Sequence, residues 1–380
     1  MRRQMRNAVV GAAVLAFVAA GAVRAQEVPL PGIDNTAFGT TTAEFLLLGA
    51  GARGAALGNN FAAIATDVTA LYWNPAGVAE MTRPGLAIST YTYVADTRYN
   101  WGGIAFPFND GQSAIGLQIG SFGFSDQPIY SLVAPEGDGS TYNVSEAFYG
   151  LSYAQNFSDR FSAGITGKLI NSRLAKTSAT GFAVDFGTSF HALIAEKPIR
   201  ASFVIANLGQ SLTHTGVGLD LAVDRPAPPL QQQVPQDPQP ARYQSESFNL
   251  PVVFRVGLAY DFFNTESSRV TFMGQFEQPN NSNATGGGGL ELALTDIGQS
   301  GFTVMARGSY AYQPDNNLAA NPGSGAGFTT TLAGKDGLDG LAFGGGLMYS
   351  RGSFSLGLDY AFRHMGVLGG THVYSAVLHW

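Results

Sequence analysis

Apolar and polar residues alternate with a period of two along most of the chain after Leu86. One run places four large apolar residues on one face and three polar residues on the other: Phe182, Val184, Phe186 and Phe190, against Asp185, Ser189 and His191. Alternation of this kind predicts β-strands with one apolar and one polar face. The segments are about ten residues long, which suits tilted strands that cross a bilayer.

The joints between these segments alternate between short and long. Short joints are expected at residues 109–111, 157–160, 196–198, 264–268, 296–301 and 351–352. Longer joints are expected at 125–143, 209–248, 279–286 and 314–339, with two short exceptions near Asp96 and at 175–179. Short periplasmic turns opposite longer external loops are typical of outer-membrane barrels. The sequence therefore predicts an all-β transmembrane barrel of about fourteen antiparallel strands, with both ends on the periplasmic side.

The composition agrees with a membrane barrel and excludes several other classes. Charged residues make up 13% of the chain, against about 25% in ordinary soluble domains. The net charge of -6 and the lack of a basic cluster argue against a nucleic-acid partner. The chain has no cysteine, which rules out disulfides and thiolate metal sites. Lipid of the outer membrane is the partner that this composition predicts.

The N-terminus has the pattern of a signal peptide. Arginines precede an apolar stretch at residues 8–22, which is too short to span a membrane as a stable helix. Ala25 offers a cleavage site, so residues 1–25 are predicted to direct export and then to be removed. The alternative is an N-terminal membrane anchor. We expect the mature protein in the outer membrane of a Gram-negative type of cell.

Residues 45–81 differ from the strand pattern, because they are rich in glycine and alanine and nearly free of charge. Asp67 is predicted to cap a short helix at residues 68–73, and Asn74-Pro75 to end it. Ala76 and Gly77 allow close backbone packing. We interpret residues 26–83 as a plug that needs an enclosing wall, and residues 84–380 as the barrel. The alternative is a capping helix on a soluble sheet.

This stretch resembles the N-terminal signature of the PorV/PorQ family, which belongs with the FadL-like outer-membrane barrels. The matching positions are 45–53, Ala62 and 67–77, in the family's order and spacing. The resemblance implies a hatch whose motif comprises six residues: Asp67, Trp73, Asn74, Pro75, Ala76 and Gly77. It also implies a type IX secretion component that binds the C-terminal domains of exported proteins. The FadL relationship implies an alternative, a transporter of hydrophobic small molecules.

Charged residues of both signs recur on the predicted lumen face. The candidates are Arg255, Arg307, Arg363, Asp185 and Asp359. A mixture of signs favours pairs that hold the plug in place over an ion filter of a single sign.

Candidate catalytic chemistry is sparse. The glycine run at 286–289 lacks the Gly-Lys-Ser/Thr of a phosphate loop, and His372 and His379 lie on opposite faces of the last strand, so they cannot share a metal. The polar face with Asp185, Ser189 and His191 could suggest a hydrolase, but polar residues are normal in a barrel lumen. We therefore expect neither an enzyme nor a cofactor.

The longest joint, at 209–248, is rich in proline and glutamine and cannot pair as a central strand. Disorder or an extended polyproline conformation is expected there, with a partner-binding arm as the alternative.

Overall fold

A computed structural model describes residues 39–223, 238–312 and 338–380. The predicted signal peptide lies outside these residues. So do the most proline-rich part of the longest joint and nearly all of the joint predicted at 314–339.

The strands along the described residues are β1 (Gly85–Thr92), β2 (Arg98–Phe108), β3 (Ser113–Pro128), β4 (Thr141–Ser158), β5 (Phe161–Leu174), β6 (Thr177–Ile194), β7 (Lys197–Gly209), β8 (Leu212–Thr213), β9 (Asp220–Val223), β10 (Gln239–Arg242), β11 (Ser247–Phe248), β12 (Val253–Asn264), β13 (Ser268–Pro279), β14 (Thr285–Leu294), β15 (Phe302–Tyr312), β16 (Leu341–Arg351), β17 (Phe354–His364) and β18 (Gly370–His379). Fourteen of them close into an antiparallel barrel. The predicted fold class and strand number are thereby confirmed.

The barrel closes where the first strand meets the last. β1 pairs with β18 from Gly85 opposite His379 to Tyr91 opposite Val373. The remaining barrel strands each pair with the next along the chain, except that β7 pairs with β12. The four strands between them, β8 to β11, form two small two-stranded sheets in the long loop.

Side chains alternate between the outer and inner faces, as the sequence pattern predicts. In β12, Phe254 and Leu258 are exposed on the outside, whereas Arg255 and Ala259 are buried inside. Leu250, just before β12, is buried in the interior core. A tight turn between its carbonyl and the Val252 N–H (2.9 Å) precedes the strand.

The short joints lie where the sequence predicts them, and the exceptions near Asp96 and at residues 175–176 are also short. The joint predicted at 125–143 is shorter than expected. β3 runs to Pro128 and β4 starts at Thr141, and these two residues pair with each other. Residues 129–140 therefore connect a two-stranded extension of the wall.

Helical structure is brief. The α-helices are α1 (Ala52–Ala56) and α2 (Ala70–Trp73), and 3₁₀ turns occur at Glu44–Leu47, Pro75–Glu80, Val94–Asp96, Val217–Leu219, Ile297–Gln299 and Gly366–Leu368. Within the described ranges, no helix has the length and apolar character needed to cross a membrane.

Leu258 offers a test of the lipid-facing surface. It is 53% exposed near the middle of β12, so an arginine there would sit in hydrocarbon. We expect Leu258→Arg to destabilise the inserted barrel by about 2–4 kcal/mol. Urea unfolding in lipid vesicles measures the effect. Leu193→Arg, near the end of β6, is the control and should cost at most about 1 kcal/mol; equal losses for both variants would contradict the assignment of Leu258 to the lipid face.

Candidate functional site

The N-terminal segment, residues 41–84, packs against inward-facing side chains from strands all around the barrel. Its backbone is bonded to Ser89 of β1, Gln118 of β3, Gln275 of β13, Ser309 of β15 and Ser375 of β18. These strands lie on different sides of the closed wall, so the segment occupies the lumen. The bonds satisfy backbone groups that would be costly to bury unpaired.

Glycines of the wall and the segment permit this close packing. A Cβ added at Gly164 of β5 would lie 2.5 Å from the carbonyl carbon of Pro75, and one at Gly187 of β6 would lie 2.2 Å from Asn74 Oδ1. Within the segment, a Cβ at Gly77 would lie 1.8 Å from the carbonyl oxygen of Ala65. Side chains at these positions would displace the Asn74-Pro75 turn.

Asp67 forms a turn before α2. Its Oδ1 accepts the Thr69 N–H at 2.8 Å. Thr69, not Asp67, is the N-cap residue of α2, so the predicted cap was wrong. The helix itself begins at Ala70, not at residue 68 as predicted. The reason is that Ala70 N–H bonds to Asp67 O, a tighter 3₁₀ turn that occupies the expected first helical residues.

Asn74 connects three parts of the molecule. Its Oδ1 accepts the Ala76 N–H at 3.1 Å, and its Nδ2 donates to the carbonyl of Ala62 in the segment and of Thr188 in β6. Pro75 begins the following 3₁₀ turn, where the missing N–H of proline costs nothing. The side chain of Asn74 therefore attaches the segment directly to the wall.

Aromatic residues form the centre of the segment. Trp73 donates its Nε1–H to Ala50 O at 2.7 Å and lies edge-on to Phe61. Burial raises the pKa of Tyr72 to about 12, so its hydroxyl stays neutral. That hydroxyl donates to Leu46 O and accepts the N–H of Gly49.

Glu291 of β14 is the hub of the main charge network. It accepts two bonds from Arg53 of the segment, at 2.8 and 2.9 Å, and one from Arg307 of β15 at 2.8 Å. Arg53 also bonds to Asp67 at 3.1 Å, and Arg307 to Asp359 of β17. The side chains of Glu291 and Arg307 are each 1% exposed, so these charges depend on one another for compensation.

The other lumen charges join wall strands to each other. Asp185 pairs with Lys168 at 2.6 Å and accepts the N–H of Asn207 at 2.8 Å. Arg255 pairs with Glu277 at 2.6 Å, and its guanidinium lies 5.6 Å from the centre of the Trp73 ring. Lys168 Nζ in turn lies 5.9 Å from the centre of the Tyr72 ring, so both pairs lie beside the aromatic centre of the segment.

A vestibule of about 620 Å³ lies above the segment, at the rim opposite Gly85 and His379. The segment and the wall both contribute aromatic and apolar residues to it: Phe45, Leu48, Tyr91, Tyr93, Phe122, Tyr310 and Tyr312. Charged lining residues include Glu44, Glu146, Glu277, Asp339 and Arg363. Arg363 makes no ion pair within the described ranges, unlike the other candidate lumen residues. The site is therefore a mixed aromatic and acidic cavity with a closed floor.

The model of the type IX secretion system protein PorV matches residues 33–220. The chain belongs to the PorV family. The match begins before the segment and includes β1 to β7, so it covers both the hatch motif and half of the wall. No curated protein matches the sequence of this PorV-family chain.

Solved barrels share the fold of this PorV-family chain. The CymD monoaromatic hydrocarbon channel is 11% identical, with 88% of this chain and 97% of that chain covered and a TM-score of 0.50. The Pseudomonas putida toluene transporter TodX is 12% identical, with coverages of 87% and 97% and a TM-score of 0.50. A TodX deltaS2S3 mutant is 12% identical, with 87% of this chain and 98% of that chain covered and a TM-score of 0.51. At such identities the similarity establishes the FadL-like fold alone.

The polar residues that could suggest a hydrolase, Asp185, Ser189 and His191, do not all contact one another in the structure. Asp185 is engaged by Lys168, and the carboxylate near His191 is that of Glu80, at the end of the segment. Nε2 of His191 contacts both Glu80 (2.9 Å) and Ser189 (3.1 Å). In a catalytic triad the acid and the nucleophile bind different nitrogens of the histidine ring. The arrangement here differs, because Glu80 and Ser189 both contact Nε2. Among the described residues, no cluster of three metal-ligating side chains occurs.

Proposed function

We propose that this PorV-family chain is an outer-membrane component of a type IX secretion system that binds exported proteins. The family match over residues 33–220 carries the proposal, because the matching model is that of a type IX secretion protein. The matched region includes the whole N-terminal segment and the wall strands that hold it.

The filled lumen supports a binding role over a conduit role. Segment residues such as Phe61, Leu71 and Trp73 are at most 1% exposed, and their neighbours are bonded to strands on several sides of the wall. A folded protein could pass only if the segment left and its bonds to Glu291 and Thr188 of the wall broke. Exported proteins are therefore received at the external surface, and their passage through the membrane takes place elsewhere.

Binding by the purified full-length barrel in nanodiscs tests the proposal. The probe is one exported protein of the source organism, prepared with and without its C-terminal domain. We expect saturable binding of the intact protein and none of the truncated form. The companion measurement is secretion in a strain that lacks this chain, where the same protein should accumulate in the periplasm. Normal secretion in that strain, or no binding of the intact protein, would contradict the proposal.

The alternative function is transport of a hydrophobic small molecule, and the aromatic vestibule favours it specifically. Toluene serves as the probe. If the chain is a transporter, the deletion strain takes up toluene more slowly and still secretes normally. If the secretion proposal holds, toluene uptake stays unchanged and secretion fails.

We also propose that residues 1–25 direct export and are removed. Sequencing of the mature N-terminus should then begin at Gln26. A mature protein that retains Met1 would indicate the anchor alternative.

A further inference from the structure

The extension of β3 and β4 ends in an exposed apolar tip. Leu132 and Val133 are 104% and 96% exposed, and Tyr130 is 65% exposed. Single exposed apolar residues are common on protein surfaces, but three within four positions at the end of a projection form a contiguous patch. Contiguous apolar patches of this kind mark interaction surfaces.

The tip projects beyond the adjacent wall. β2 begins at Arg98, which pairs with Gly123 of β3. β3 continues to Pro128, and this part pairs only with β4. Five further residues extend the ribbon by roughly 15 Å along the strand. The patch therefore stands clear of the rim, on the same side of the barrel as the vestibule.

Local hydrogen bonds hold the tip in one conformation. Ser131 N–H donates to Ala134 O at 3.2 Å, and Ala134 N–H donates to Ser131 Oγ at 3.0 Å. Leu132 and Val133 occupy the corners of this turn, where Gly, Asn, Asp, Pro and Ser are the usual residues. A turn that orders two large apolar residues in water presents them at low entropic cost to a partner.

The charges beside the patch indicate what kind of partner fits. Between residues 124 and 143 there are three acidic residues, Asp126, Glu136 and Asp138, and no lysine or arginine. Hydrogen bonds from Ser140 lower the pKa of Asp138, so this group stays ionised in mild acid. An anionic lipid surface would be repelled, whereas a protein pocket with basic residues at its edge would be attracted.

We infer that the tip at Tyr130, Leu132 and Val133 inserts into an apolar pocket, rimmed by lysine or arginine, on the exported protein that this barrel receives. The inference rests on the proposed secretion function and assigns it a contact surface. The apolar tip supplies the buried centre of the contact, and the acidic residues form its rim.

The test uses the full-length barrel in nanodiscs and one exported protein with its C-terminal domain. Leu132→Ser combined with Val133→Ser should weaken binding about tenfold to a hundredfold, the usual effect of losing an interface anchor. Glu136→Gln combined with Asp138→Asn should weaken binding several-fold and reduce its dependence on salt. Leu193→Ser with Ile194→Ser, an exposed apolar pair at the opposite rim, is the matched control and should bind as the wild type does.

The outcomes separate this inference from the function on which it rests. Wild-type binding that the tip variants leave unchanged would overturn the inference and keep the secretion function. Absence of wild-type binding would overturn both. A photoreactive amino acid at position 132 gives a second measurement in cells. Its adducts should contain the exported protein, and adducts with lipopolysaccharide alone would refute a protein pocket as the occupant.

Discussion

Glu291→Ala is expected to lower the free energy of unfolding of the barrel by about 3–5 kcal/mol, the cost of leaving buried charges without a partner. The substitution removes the only residue that bonds to both Arg53 and Arg307 among the described contacts. Both guanidiniums would then remain in the lumen with incomplete compensation. Urea unfolding in lipid vesicles, followed by tryptophan fluorescence, gives the measurement.

Two further variants show whether charge is the cause. Glu266→Ala removes an exposed turn carboxylate and should change stability by less than about 0.5 kcal/mol. Glu291→Leu with Arg53→Met and Arg307→Met removes Glu291 together with both guanidiniums. It should recover part of the loss, since only the partly exposed carboxylates of Asp67 and Asp359 lose a partner. A triple variant as unstable as Glu291→Ala would show that packing, not uncompensated charge, explains the effect.

Gly164→Ala is expected to loosen the N-terminal segment while the wall remains folded. Its Cβ would overlap backbone atoms of Pro75, which cannot rotate away as a flexible side chain could. Overpacking of this kind costs about 1–3 kcal/mol, and the Asn74-Pro75 turn must shift to relieve it. We expect faster entry of a small solute, measured as hydrolysis of nitrocefin by a periplasmic β-lactamase in intact cells.

Gly167→Ala is the matched control in the same strand, because its added Cβ would have no heavy atom within 4 Å. It should leave nitrocefin entry at the wild-type rate. Heat-modifiable migration on a gel should show that both variants form barrels. Equal rates of nitrocefin entry in Gly164→Ala and the wild type would contradict the hypothesis that the segment is a barrier.

The fold was predictable because each strand of a barrel leaves a local pattern of apolar and polar residues in the sequence. A residue such as Leu258 faces lipid and its neighbour Ala259 faces inward, and the period of two records this at each strand. The short turns and the small-residue segment are also local signals. Fold class and strand number could therefore be predicted without knowledge of any contact.

The partners within the site could not be predicted, because they depend on register across the lumen. Arg53 meets Glu291, 238 positions away, and Glu80 meets His191, 111 positions away. A period of two tells that Glu291 faces inward but not which segment residue lies opposite. The same limit led to the grouping of Asp185 with His191, which share a face along the strand but bind different charges.

The bonds of two consecutive amides constrain how this barrel can be assembled. Gly51 N–H donates to Ser89 on the first barrel strand, and Ala52 N–H donates to Ser375 on the last. The segment is thus bonded to both of the strands whose pairing closes the barrel. The two bonds exist together only when β1 and β18 lie side by side. Pairing of the final strand therefore closes the wall and completes this attachment of the segment, and a chain that lacks β18 lacks both.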